Sequence, residues 1–173
     1  MNFSSLFNAV KTGAVVITVN QRLARHLNEK IEQVYVDDAC TAWPSPTILS
    51  FDAWVLSIWQ SRFNTDTPAV SKLIKKTLLT PDQTLIIWQQ LISQSSHSTL
   101  LNVAATAKAA SKARQLALQW GIADLDDTEI SFDIEVFNEW HDTFKKTLEQ
   151  HAWVDQAGLP SIVDQLIKTG QCF

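Results

Sequence analysis

The residues best suited to chemistry sit at two strand-to-helix turns. The first is Thr18-Val19-Asn20-Gln21-Arg22, with Arg25 just beyond it, and the second is Thr47-Ile48-Leu49-Ser50-Phe51. Hydroxyl and amide side chains at a strand end, beside the exposed N–H groups of a helix start, suit phosphate oxygens. Thr18 and Ser50 would donate to phosphates, and Arg22 and Arg25 would neutralise them from nearly one helix face. Phe51 would offer a base a stacking surface. Parallel strands share a C-terminal edge, where ligands collect, so the two turns would form one track for a single nucleic-acid strand. Each feature also has a plainer use. Asn20 can simply cap its helix, the arginines can be solvated, and Phe51 can close the helix as a hydrophobic residue. Farther along, Lys108, Lys112 and Gln115 share a helix face, where they could touch phosphates or form the wet side of an amphipathic helix.

Other chemistries find little support. The glycines are Gly13, Gly121, Gly158 and Gly170, and none begins a G-x-x-x-x-G-K-[ST] loop, so ATP hydrolysis by this chain alone is not expected. His26, His97, His141 and His151 have no partner at zinc spacing, and no G-x-S-x-G elbow occurs. No metal or cofactor is expected. Cys40 and Cys172 stand far apart, which suits a reducing cytoplasm. The start MNFSSLFNAVKTG does not read as a signal peptide, and no apolar run approaches the roughly 18 residues of a membrane span.

The elements that must position these residues follow from the apolar pattern. With 173 residues, 46% of them apolar, the chain can build one domain or a core with a helical insertion. Ser4 to Val10 reads as a short helix ended by Gly13. Val15–Val19 is a continuous apolar run of the kind buried on both faces of a parallel sheet. Asn20 caps a helix over Gln21–Val34, with Leu23, Leu27, Ile31 and Val34 toward the core. A loop with Pro44 and Pro46 leads to a second strand, Thr47–Ser50, and a helix over Phe51–Phe63 buries Trp54, Val55, Ile58 and Trp59. Strand, helix and strand make a right-handed βαβ unit.

After the polar loop Asn64–Pro68 no strand is expected. Thr80 and Pro81 open a helix to about Ser93. Leu101–Trp120 is an Ala-rich helix closed by Gly121. An acidic turn, Asp124–Thr128, precedes a helix over Asp133–His151 with Val136, Phe137, Trp140, Phe144 and Leu148 inward. Leu159–Thr169 is a last short helix. The fold class is mainly α with a small α/β part, divided into residues 1–63 and 64–173. Two strands make a poor sheet, so the chain is expected to be the first part of something larger.

Charge is uneven along the chain. Residues 1–61 carry a net −1, residues 62–120 a net +5 and residues 121–173 a net −8. A basic middle beside an acidic end can mean a binding face, or two solvated helices that pair with each other. The seven tryptophans are expected to be mostly core, with Trp54, Trp59, Trp88 or Trp140 available to an interface on a second reading.

The order of motifs adds a resemblance. ITVNQRLARHL, Ile17–Leu27, resembles the Thr-x-Thr-Asn-like turn that follows the nucleotide loop in superfamily 1, UvrD-type helicases, with Thr18 and Asn20 matching. TILSFDAWV, Thr47–Val55, resembles the next motif, Thr-x-x-Ser-Phe, at Thr47, Ser50 and Phe51, with Leu49 in place of the usual His. WVDQAGLPSIV, Trp153–Val163, is similar to the Val-Asp-Phe-x-x-Leu stretch before the Walker B strand, at Val154, Asp155 and Leu159. Together they look like the N-terminal region of bacterial DNA repair proteins similar to the AddB-type helicase–nuclease subunit, which carry a PD-(D/E)XK nuclease domain far downstream.

The resemblance implies a partial RecA-like (P-loop helicase-like) parallel sheet without a phosphate loop, and a helical subdomain inserted in it. It implies a non-catalytic region that guides single-stranded DNA, or docks on a partner helicase subunit or on the remainder of a longer polypeptide. Any nuclease activity would belong to that remainder. The other class of reading is a protein–protein interaction module with a Trp-rich interface and no DNA binding.

Overall fold

The computed structural model describes residues 3–61, 75–97, 102–122 and 132–168. The expected loop Asn64–Pro68 and the acidic turn Asp124–Thr128 lie outside them, as do Phe63, Leu101, Thr169 and Cys172. Seven helices hold 70% of the described residues, and two small parallel sheets complete the architecture. The chain is therefore mainly α. Among the described residues no helix is long and apolar enough to cross a membrane. Contacts divide the chain into two compact units, Met1–Ser61 and Arg62–Phe173.

The first unit runs α1 (Phe3–Lys11), β1 (Val16–Thr18), α2 (Gln21–Asp37), β2 (Ile48–Ser50) and α3 (Phe51–Ser61). β1 and β2 are parallel, with Val16 beside Ile48 and Thr18 beside Ser50, so the βαβ unit forms as its pattern predicts. Asn20 caps α2 by accepting from the Leu23 N–H at 2.9 Å. Val10, Ala24, Ile31, Tyr35 and Ile48 form the core. Tyr35 stacks on Trp43, with centroids 5.4 Å apart and planes 6° off parallel.

Two expectations need correction in this unit. Ile31 is buried and Leu27 packs against the core as expected, but Ala24 and Tyr35 complete the inward stripe of α2, whereas Leu23 is exposed and Val34 is half-buried. Tyr35, packed between Phe7 and Trp43, takes the inward position that the pattern gave to Val34. β1 is also not buried on both faces. Val15, Ile17 and Val19 alternate onto one face and remain 50%, 45% and 85% exposed. Strand alternation separates them from buried Thr18.

The second unit runs β3 (Thr77–Leu78), α4 (Pro81–Gln94), α5 (Val103–Trp120), α6 (Phe132–Gln150), β4 (Trp153–Val154) and α7 (Leu159–Lys168). Strands therefore do not stop after residue 64: β3 and β4 pair in parallel, Thr77 beside Trp153. Two-residue strands are too short to leave a readable alternation. Thr80 and Gln83 form a reciprocal capping box at the start of α4, with Pro81 at its first position. The core joins Leu79, Ile87, Trp88 and Ile92 to Ala107, Ala110, Val136, Trp140, Phe144 and Leu148. Trp88 and Phe144 stack at its centre, 4.3 Å apart and 9° off parallel. Ala107 and Ala110 are buried on α5, which packs against α4. Trp59, Trp88 and Trp140 are buried and Trp54 is half-buried, while Trp120 at the end of α5 is 78% exposed.

Candidate nucleic-acid interface

The β1–β2 register decides which polar residues meet. Thr18 and Ser50 are partners in the sheet, so the β1–α2 and β2–α3 turns emerge side by side at the C-terminal edge. Asn20, Arg22, Ser50 and Phe51 stand at or just beyond that edge. Arg25 follows one turn into α2. Asn20 and Arg22 are exposed, Phe51 is 44% exposed, and the Phe51 ring lies tilted beside Trp54 at 6.0 Å.

The hydroxyl of Thr18 has another use. It is buried and lies 2.9 Å from the Asn20 carbonyl and 3.2 Å from the Leu49 carbonyl. Its one hydrogen is committed to these acceptors, so Thr18 ties the two turns together and does not donate to a phosphate. Ser50 Oγ accepts from the Ala53 N–H at 3.3 Å, capping the start of α3. Its own hydrogen can still turn outward. Thr47 sits at the opposite end of β2, where its carbonyl accepts from the Val16 N–H at 2.9 Å. Three residues of strand, about 10 Å, separate it from the edge.

The two helix starts differ in electrostatics. The first turn of α2 holds no acidic residue, whereas that of α3 holds Asp52. The partial positive charge of a helix start is thus reinforced by Arg22 at α2 and offset at α3. Beside the edge, α2 and the β2–α3 turn enclose a groove of about 410 Å³. Its lining includes Arg25, Asn28, Ser50 and Ala53, but also Glu29 and Glu32. Glu29 follows Arg25 by one helical turn and dilutes its charge. The anion-friendly part of this surface is consequently the short stretch Asn20–Arg22 with Ser50.

Lys108 and Lys112 belong to the second unit, both exposed on α5. The Lys112 ammonium donates to the Gln115 amide oxygen at 3.0 Å, so the expected polar row exists. Arg114, on the same helix, is buried instead. Its Nε and Nη2 donate to Asp155 at 2.9 and 3.1 Å, and its Nη1 lies 2.7 Å from His141 Nε2. The sequence pattern gave no partner for Arg114. Asp155 carried a signal only through the motif resemblance. Among the described residues no cluster of His, Cys, Asp or Glu is gathered to hold a metal. No family model matches the chain, nor does any curated protein or solved structure.

Proposed function

We propose that this chain is a non-catalytic, DNA-guiding region of a helicase- or nuclease-type DNA repair and recombination protein. Residues 1–63 would be part of a RecA-like unit without a phosphate loop, and residues 64–173 the helical subdomain inserted in it. The observation that carries this reading is the parallel register of Thr18 with Ser50, which sets two polar helix starts side by side at one sheet edge. Asn20, Arg22 and Ser50 would hold the phosphates, Arg25 would add charge, and Phe51 would stack against a base. Fluorescence anisotropy of a labelled oligothymidylate against the full chain, over a salt series, tests it. Arg22→Ala with Arg25→Ala should weaken binding and flatten the log–log salt slope by about 1.4, two phosphates at about 0.7 each. Lys108→Ala with Lys112→Ala reports separately on α5. An unchanged slope in the arginine variant, or no binding by the parent at low salt, overturns the reading.

A second reading has its own observation. Parallel strands are normally covered on both faces, yet Val15, Ile17 and Val19 leave one face of β1 apolar and open. On this reading the chain is an interaction module that docks on another part of a larger assembly. Salt-insensitive association without DNA binding would favour it.

A further inference from the structure

Buried Arg114 joins buried Asp155 and half-buried His141 through hydrogen bonds that have a fixed direction. A guanidinium only donates and keeps its charge. Nη1 of Arg114 lies 2.7 Å from His141 Nε2, so that nitrogen must be the acceptor. His141 is then neutral, with its hydrogen on Nδ1. The guanidinium is further held over the Phe144 ring at 5.3 Å, and the imidazole stacks on Phe137 at 5.6 Å and 7°. Asp155 takes two bonds from Arg114 and a third from the Gly158 N–H at 3.1 Å. Three pieces of chain meet here: α5 through Arg114, α6 through His141, and the turn from β4 into α7 through Asp155.

The charges facing the imidazole come from each of these pieces. Arg114 on α5 opposes a proton, as does Lys145 on the histidine's own helix, while Asp142 on that helix and Asp155 in the turn favour one. Burial outweighs them all and, with Arg114, holds the His141 pKa below its ordinary value of 6.5. The ring is only half-buried, so it has a solvent side to move toward.

We propose that Arg114, His141 and Asp155 are a proton-operated lock on the β4–α7 segment. The lock is closed while His141 is neutral. When Nε2 takes a proton, two cations face each other across a hydrogen-bond distance, and the imidazolium is driven off the guanidinium. Arg114 then keeps Asp155 but lets go of His141, so α6 is no longer tied through the guanidinium to the β4–α7 turn, and that turn loses one of the two helices that hold it. The sign follows from linkage. A base whose pKa is lower in the folded state gives stability that is complete above pH 6.5 and is lost as pH falls through the folded value.

Two measurements on the full chain test the lock. Long-range proton–nitrogen spectra of the parent should show His141 carrying its hydrogen on Nδ1 near neutral pH, with a titration midpoint below 6.5. Amide exchange, expressed as protection factors for β4 and α7, should fall between about pH 7.5 and about pH 5.5, by up to about tenfold, since only one pH unit of that span lies below the ordinary value of 6.5. His141→Gln can accept from Arg114 through its amide oxygen but takes no proton, so its protection should be equal at both pH values. His26→Gln, exposed on α2 in the other unit, should keep the parental pH dependence. A hydrogen on Nε2, a midpoint at or above 6.5, or a pH dependence that survives His141→Gln overturns the proposal. If His141→Gln fails to fold, the tautomer and midpoint of the parent decide alone.

Discussion

Arg114 brings five N–H donors into a site from which water is largely excluded, and two residues distant in sequence meet them. The ion pair with Asp155 has side-chain exposures of only 8% and 3%, so removing one partner strands a buried charge. Such losses cost about 3–5 kcal/mol, whereas replacing both partners by apolar groups is often close to neutral. Asp155→Ala should therefore lower the urea-derived stability by about 3 kcal/mol or more, and Asp155→Ala combined with Arg114→Met should recover much of that loss. Simple additivity in that cycle would remove the pair from the accounting of the fold. Gly158 belongs to the same site. A Cβ there would lie 3.0 Å from Asp155 Oδ1 and 3.7 Å from Arg114 Nη2, so Gly158→Ala should push the carboxylate off its donors and destabilise by about 1–3 kcal/mol. The sequence made Asp155 visible only through its motif and left Arg114 unassigned. A bond spanning 41 residues joins a basic helix to the acidic end of the chain, and helical periodicity carries no information about such a meeting.

Helix ends show most clearly which elements were legible. Asn20 and Thr80 cap α2 and α4 as read from the sequence, whereas Asn102, which the reading from Leu101 placed inside the helix, caps α5; each accepts from the third residue beyond it, because a short polar side chain can satisfy an orphan N–H. Gly13 and Gly121 end α1 and α5 at φ of 86° and 65°, a conformation that glycine adopts without a Cβ penalty. The ends of α2 and α6 gave no such signal, because Ala39 and Ala152 occupy the same left-handed region at φ of 56° and 52°. At Ala39 the motif is complete: its N–H reaches the Val36 carbonyl, and the Cys40 N–H reaches the Tyr35 carbonyl, each at 3.0 Å. Ala152 is held by strand pairing, since its carbonyl accepts from the Thr77 N–H at 2.9 Å. That pairing also explains why β3 and β4 were unreadable. They are two residues long, and what fixes them is the preceding turn. Ala39→Gly and Ala152→Gly should each raise stability by about 0.5–1 kcal/mol, the relieved Cβ strain less the added freedom of the unfolded chain. A lower denaturation midpoint in either would mean that the alanine methyl packs usefully there.

At the scale of the whole molecule, the apolar residues that stay exposed among the described residues are informative. The run Val15–Val19 looked like a strand buried on both sides because five consecutive apolar or β-branched residues carry no alternation to read. The structure supplies the alternation: Thr18 turns inward and binds two carbonyls, which leaves Val15, Ile17 and Val19 on the other face. The net charge of −4 repels polyanions at long range, so DNA would have to be held by close contacts at the α2 start, with a measurable salt dependence. Apolar docking at the β1 face would instead be insensitive to salt. Val19 separates the two readings because it lies between the face and the polar turn and is 85% exposed. With so little of it packed, Val19→Lys should alter the denaturation midpoint by no more than about 0.5 kcal/mol. If the β1 face is a docking surface, the buried lysine charge should abolish self-association or partner capture in sedimentation velocity, at every salt concentration. If the edge holds DNA, the same added charge should instead tighten oligothymidylate binding and steepen its salt slope by about 0.7. A variant that keeps its association and leaves the slope unchanged would place function on neither the β1 face nor the adjacent turn.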